Sequence, residues 1–296
     1  MDVPVTGPEP DASGLDAAAH YRRDGYVVIR GLLTEQHVAA CLDALTRLAE
    51  APDLAAGQSR EQAFVALEAG EDPARSTAAQ RIDLIRKLGN FTDFDTALMR
   101  AAMSAKLHAI LDRIIGCGRV LLQEMALVKP PRIGGEKPWH QDAAYFRGSD
   151  PGLMFGVWIA LDPATRENGC MEVIPGSHRA GPVPHSPNED INLCTIRPDH
   201  LHAERRVAVP LDPGDALIFH SLTHHYTAAN HSNLRRRALQ FHYHQLGMEW
   251  TSLAVHRDFY HDETGEYAGC TVSRGKPFAE TSSFLPQRLI PVSPMG

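Results

Sequence analysis

The chain reads as mainly β with α: one β-domain, a sandwich or barrel, with N-terminal helices packed outside it. Two observations predict this. Apolar residues recur at helical spacing through the first third, and from Arg119 onward the texture changes to short β-rich segments punctuated by Pro, Gly and Asn. A chain of 296 residues can bury a substantial core. No internal repeat or linker divides it, so residues 1–13 are expected to be a disordered tail and residues 14–296 a single domain.

The elements follow in order. A helix over 15–23 stops at Asp24-Gly25, because glycine ends a helix without steric cost, and a strand over 26–29 follows. Thr34 is placed to cap a second helix that carries Val38, Cys41, Leu42, Leu45 and Leu48, closed by Ala51-Pro52. Further helix is expected at 62–67, at 82–85, where Lys87 would close it, and over 94–115. Strands are expected at 120–128, 155–161, 171–174, 206–209, 216–219 and 236–243. Residues 181–203 are polar, proline-bearing and aperiodic, which suits a lid or substrate loop, and the tail after Tyr260 is similar.

Composition excludes several classes of function. With 29 Lys plus Arg against 36 Asp plus Glu, the net charge is -7 and no basic stripe is present, so nucleic acid is not an expected partner. Apolar runs are strand-length, well short of the ~20 residues a membrane span needs, and no association with a membrane is expected. The acidic, proline-rich start lacks a secretory pattern, which predicts a cytoplasmic protein. Five cysteines at wide spacing, without a C-x-x-C pair, predict reduced thiols and no cysteine zinc site.

Sixteen histidines are more than such a domain needs, and His220, His224, His225, His231, His242 and His244 crowd one stretch. Trp139-His140-Gln141-Asp142 places an imidazole and a carboxylate two residues apart, on one side of an extended segment. The pattern alone is weak, and His256-Arg257-Asp258 repeats it, but only the first copy has a histidine cluster on a later strand. A surface ion pair is the plain alternative. Two imidazoles and one carboxylate leave three positions of an iron open for dioxygen and a chelating cosubstrate. No H-E-x-x-H helix exists to favour zinc proteolysis. The residual positive charge favours an anionic 2-oxo acid, and one of Arg235, Arg236 and Arg237 is suited to grip its second carboxylate.

These residues resemble the phytanoyl-CoA dioxygenase family of Fe(II)/2-oxoglutarate oxygenases. The resemblance spans most of the chain: Asp24-Gly25-Tyr26-Val27-Val28, then Trp139 to Asp142, Glu167-Asn168-Gly169-Cys170, Pro175-Gly176-Ser177-His178, Pro213-Gly214-Asp215 and the stretch from His220 to Ala238. It implies a double-stranded β-helix (jelly roll) fold. It also implies a distal ligand followed by Asn at five residues and by the cosubstrate arginine at eleven, which His225, Asn230 and Arg236 satisfy and His224 does not. The implied metal set is therefore His140, Asp142 and His225. Strand neighbours face opposite ways, so His224 and His225 cannot both be ligands, and Arg236 shares its face with Ala238 and Gln240.

The resemblance further implies that Lys87, Met125, Trp158 and Thr227, with Gln123, lie beside 2-oxoglutarate; core packing or a solvated lysine is the bland reading of several of these. His178 is expected to be structural, and His220, His242 and His244 to line or flank the barrel. The implied cofactors are Fe(II) and 2-oxoglutarate with dioxygen as cosubstrate, giving succinate, carbon dioxide and hydroxylation of an unactivated C–H of a small-molecule metabolite. With Asp142 present, halogenation is not expected. Tyr145, Phe146, Arg147 and the 181–203 loop are candidate substrate contacts. Specialised biosynthesis is the expected setting, with an acyl-CoA hydroxylase, a non-catalytic metal-binding jelly roll and a cupin that needs no 2-oxo acid as rivals.

Overall fold

The computed structural model describes residues 15–50, 64–68, 83–92, 94–188, 193–270, 272–273, 276–277 and 290–291. The expected tail at 1–13 lies outside these. Helix α1 (Leu15–Asp24) ends at Gly25, whose φ of 80° no side-chain-bearing residue adopts cheaply. Strand β1 (Tyr26–Ile29) follows, and then α2 (Glu35–Glu50), behind Thr34, whose hydroxyl accepts from the His37 amide at 3.3 Å.

Three of the helical expectations need correction. Residues 64–67 form a strand, β2 (Phe64–Leu67), and the apolar period near Ile85 is β3 (Ile85–Gly89), so Lys87 sits on a strand and does not close a helix. Runs this short carry no decisive period, and pairing with neighbouring strands sets their state. The expected helix over 94–115 is two, α3 (Thr96–Ala102) and α4 (Ala105–Ile114). Asp95 and Ser104 cap them through side-chain oxygens that accept from amides of the first turn, and the second cap breaks the run.

The β-region comprises β4 (Arg119–Lys129), β5 (Lys137–His140), β6 (Met154–Ala160), β7 (Met171–Val173), β8 (His185–Asn188), β9 (Leu193–Ile196), β10 (Val207–Val209), β11 (Ala216–His220), β12 (His225–Thr227) and β13 (Arg236–Gln245). Among the described residues two large antiparallel sheets result, beside two separate two-stranded ones, of which β8–β9 is one. The major sheet runs β1-β11-β6-β13-β4-β3-β2, with the short strand Ile290–Pro291 also on β4, and the minor sheet runs β10-β7-β12-β5. Among the described residues the sheets do not close, so the jelly roll is open.

Strand alternation gives the major sheet two buried faces. Phe155, Val157 and Ile159 of β6, Ala216 and Ile218 of β11, and Leu239, Phe241 and Tyr243 of β13 join Leu45, Leu98, Leu107 and Leu111 of the helices in one core. Their neighbours Trp158, Ala160, Leu217, Phe219 and Ala238 face the other way and pack on Met171, Val173, Ala208 and Val209 of the minor sheet. Fully burying each large side chain contributes ~1.5–3 kcal/mol, so both faces are held firmly.

The 181–203 segment is more ordered than its composition predicts. It contains the β8–β9 hairpin, in which Cys194 and Ile196 alternate inward while residues 189–192 lie outside the described set. Cys194 is bonded to Cys270, with Cα atoms 5.7 Å apart, which corrects the expectation of five reduced thiols. The partners are 76 residues apart, and no local pattern announces such a pair. Cys41 and Cys170 are free and buried, and Cys117 is free and exposed. Among the described residues, no helix is long and apolar enough to cross a membrane.

Candidate metal centre and adjoining cavity

His140 ends β5 and His225 begins β12, and the antiparallel register sets them directly opposite, with ring centroids 4.0 Å apart. Asp142 reaches the same point from the short 3₁₀ turn Asp142–Tyr145 that follows β5, not from the extended strand the spacing suggests. Its Oδ1 lies 3.4 Å from His140 Nε2 and 3.5 Å from His225 Nε2. The three ligand atoms fall within 4.8 Å of one another. Each imidazole turns Nδ1 to a carbonyl two residues earlier: His140 to Pro138 O at 2.7 Å and His225 to Thr223 O at 2.9 Å. That leaves both Nε2 lone pairs directed at the shared point, the tautomer a metal requires.

Asp142 Oδ2 is held by His242 Nε2 at 2.9 Å. Burial alone would raise the Asp142 carboxyl, but the imidazoles of His242 and His225 and hydrogen bonds from His140 and His225 hold it well below the usual carboxylate range. Burial, with His225 and Lys137 nearby, keeps His140 neutral. Between His140 and Asp142, Gln141 is fully buried. It donates to Gly181 O and Leu222 O, each at 2.9 Å, and accepts from the Val183 amide at 3.0 Å, fastening the ligand turn to the start of the hairpin segment.

His224 stays outside the cluster. Its amide accepts no metal role but donates to Ser177 Oγ at 2.9 Å. His256 and Asp258 lie on α5 (Leu253–Phe259), where His256 stacks on Tyr260 at 4.7 Å. Helical geometry separates residues two apart, so the second copy of the motif does not gather ligands.

The cluster opens into a cavity of about 210 Å³. Gln123, Met125, Trp158, Thr227, Lys87 and Arg236 all line it, on strands of both sheets. Arg236 is 2% exposed, donates to Leu127 O at 3.3 Å and sits 5.3 Å from the Trp158 ring. Among the described residues no carboxylate pairs with it, and burial pushes its guanidinium down to about 10. Its neighbours point away: Arg235 pairs with Asp83 and Arg237 with Asp162. A buried guanidinium without an acid is costly unless an anion joins it. Burial, with Arg86 beside it, lowers the Lys87 ammonium to about 8.

Some lining residues escaped the sequence reading. Lys129 shares the inward face of β4 with Met125, so alternation could have found it, as it placed Gln240 on the face of Arg236. His242 was placed only as a lining residue, and its bond to Asp142 is visible only in three dimensions. Lys137 had no signal. The remaining motif blocks serve the scaffold. A Cβ on Gly169 would meet Ala228 O at 2.3 Å, and one on Gly25 would meet His178 Nδ1 at 2.4 Å, so the Asp-Gly-Tyr and Pro-Gly-Ser-His blocks abut. Asn230 donates to the carbonyls of Lys129, Pro130 and Leu234 and so ties the β12–β13 connection to β4.

The family model of phytanoyl-CoA dioxygenase (PhyH) matches residues 21–238. The chain belongs to the phytanoyl-CoA dioxygenase family. Within this family, phytanoyl-CoA dioxygenase domain-containing protein 1 of Danio rerio is 27% identical over 252 residues, covering 75% of this chain and 87% of the relative. Among solved structures, the epimerase SnoN in complex with Fe3+, alpha ketoglutarate and nogalamycin RO is 22% identical, with a TM-score of 0.62, covering 90% of this chain and 99% of that one. The alpha ketoglutarate dependent carbocyclase SnoK is 25% identical, with a TM-score of 0.59 and coverage of 79% and 85%. With the His–Asp–His cluster in place, this phytanoyl-CoA dioxygenase family chain is an Fe(II)/2-oxoglutarate-dependent oxygenase.

Proposed function

We propose that the chain hydroxylates, or otherwise oxidises, an unactivated C–H of a small-molecule metabolite in specialised metabolism, with His140, Asp142 and His225 holding iron and Arg236 anchoring 2-oxoglutarate. The observation that carries this reading is the pairing, in one cavity, of three convergent ligand atoms with a buried guanidinium that no carboxylate of the described chain neutralises. The residues fit the groups: two Nε2 lone pairs and one anionic oxygen suit Fe(II), and a planar cation suits a carboxylate by two parallel hydrogen bonds.

When bound, iron and 2-oxoglutarate supply the oxidant, with dioxygen consumed and succinate and carbon dioxide released. The protein's own tasks are simpler. Two backbone carbonyls fix the ligand tautomers, and His242 keeps the second carboxylate oxygen of Asp142 occupied. Arg236, with Thr227, Gln123 and Lys87 along the same wall, orients the cosubstrate. Met125, Leu127, Trp158, Met171 and Phe146 supply apolar walls that exclude water from the reacting carbon.

Two features support a small metabolite. SnoN is crystallised with nogalamycin RO, and the cavity of about 210 Å³ beside the His–Asp–His cluster suits the reacting end of a metabolite next to a cosubstrate. The test is a succinate-release screen over metabolite classes with Fe(II), using Asp142→Ala as control. A substrate-dependent rise at least tenfold above the variant is expected. Release no higher than the variant's for every class would count against catalysis.

A further inference from the structure

Register places one more cation in the cavity. Across the β5–β12 pair, His225 faces His140 and Thr227 faces Lys137, so two steps along β12 match three along β5. In a regular strand Lys137 and His140 would point to opposite faces. The extra residue makes a bulge, which re-aims the lysine into the cavity that His140 also lines. Pro138, without an N–H to contribute to the ladder, suits that position, and Trp139 turns outward to stack on Tyr226 at 5.3 Å.

Lys137 is not neutralised there. Its ammonium donates to the Tyr145 phenol at 2.7 Å, and among the described residues no carboxylate forms an ion pair with it. The cavity wall carries Arg86, Lys87, Lys129, Lys137, Arg147 and Arg236, against Asp142 as the one acid among the described lining residues. Arg86 is paired with Glu68, Lys129 donates to backbone carbonyls, and Arg236 is assigned to the cosubstrate. Burial, with Lys87 nearby, brings the Lys137 ammonium down to about 7, and the charge of Asp142 opposes the shift. An ammonium on the cavity wall whose partner is a phenol, with no carboxylate among the described residues in an ion pair with it, suits an anionic group.

We propose that the primary substrate is an organic acid whose anionic group is held by Lys137 and Tyr145 beside the metal centre, which fixes the C–H to be attacked relative to His140. This rests on the oxygenase reading above; Lys137 and Arg236 line the same cavity, and the experiment below separates the anion each one holds.

The test uses the full chain and three proteins: wild type, Lys137→Gln and Arg236→Gln, each checked for folding by its thermal melt. Benzoate, phenylacetate and hexanoate are compared with their carboxamides, and phenyl phosphate forms a separate arm. Binding is followed by tryptophan fluorescence, from Trp158 and Trp250 in the cavity wall, in protein loaded with Ni(II) and 2-oxoglutarate so that no turnover occurs. Wild type should prefer acids over amides at least tenfold, and Lys137→Gln should lose that preference while its 2-oxoglutarate affinity changes less than threefold. A phosphate preference would identify the acid as a phosphate ester. Equal binding of acids and amides by wild type, or weakening of 2-oxoglutarate in Lys137→Gln as severe as in Arg236→Gln, would overturn the proposal. Loss of acid preference without succinate release from any Fe(II)-loaded protein would keep the anion site and sink the oxygenase reading instead.

Discussion

Arg236 concentrates the strongest residue-level prediction. A charge-assisted hydrogen bond contributes ~1.5–3 kcal/mol, so Arg236→Gln should raise the 2-oxoglutarate KM by about 10- to 100-fold, measured as succinate release against cosubstrate concentration. Arg235→Gln, which loses only a partly exposed pair with Asp83, should leave that KM within twofold. His242→Leu removes the partner of Asp142 Oδ2, and such a loss typically costs 10- to 100-fold in metal affinity. A competition titration with a colorimetric iron chelator reads that directly; unchanged affinity would demote His242 to a packing residue. His225→Ala should abolish iron binding, whereas His224→Ala should retain it. At this scale the sequence was most legible where spacing and chemistry coincide, as at His140, Asp142 and His225. It was illegible where a side chain acts through another, as His242 does on Asp142.

At the scale of the element, β13 shows what alternation can reveal. Its odd residues Leu239, Phe241 and Tyr243 face the helices, and its even residues Arg236, Ala238, Gln240 and His242 face the minor sheet or the cavity. Leu239→Ala should therefore cost ~2–5 kcal/mol of stability in urea unfolding while leaving the 2-oxoglutarate KM unchanged. The failures were elements whose identity comes from partners. β2 and β3 are too short to declare a period, and the β8–β9 hairpin hides in a polar, proline-bearing stretch. The hairpin is tied by Cys194–Cys270 to the segment whose Cys270 amide donates to Ala144 O at 3.0 Å, in the turn that carries Asp142. Cys194→Ser should lose ~2–4 kcal/mol of stability relative to the oxidised wild type, and reductant should reproduce that loss in the parent. Identical melts with and without reductant would show that the bond contributes nothing.

Across the whole molecule, the count of buried histidines sets the response to acid. Burial keeps His185 at about 3, with the bond to Val183 O opposing, and holds His220 and His256 at about 4. Unfolded, each would titrate near pH 6.5, so below that value the unfolded chain binds more protons than the folded one. Their contribution is complete above pH 6.5 and is lost progressively as pH falls toward 4, on the order of 1–3 kcal/mol each. The depressed Asp142 carboxyl behaves in the opposite range: its contribution persists above its unfolded pKa and is lost only in stronger acid. Thermal melts should be flat near neutrality and fall steeply between pH 6.5 and 4; a midpoint constant across that window would refute the account. Fold class and layer order were readable because apolar periodicity changes at Arg119. That Met125 and Trp158 line the cavity needed resemblance to anticipate, since both look like ordinary core residues.

The bulge in β5 bears on how related chains should be compared. Simple odd-even counting back from His140 assigns the residue three places earlier to the outer surface, so its variation would be dismissed as drift. Counted through the bulge, that place faces the chemistry. Sorting relatives by whether it holds a base or a neutral side chain should separate those that consume acids from those that accept uncharged molecules.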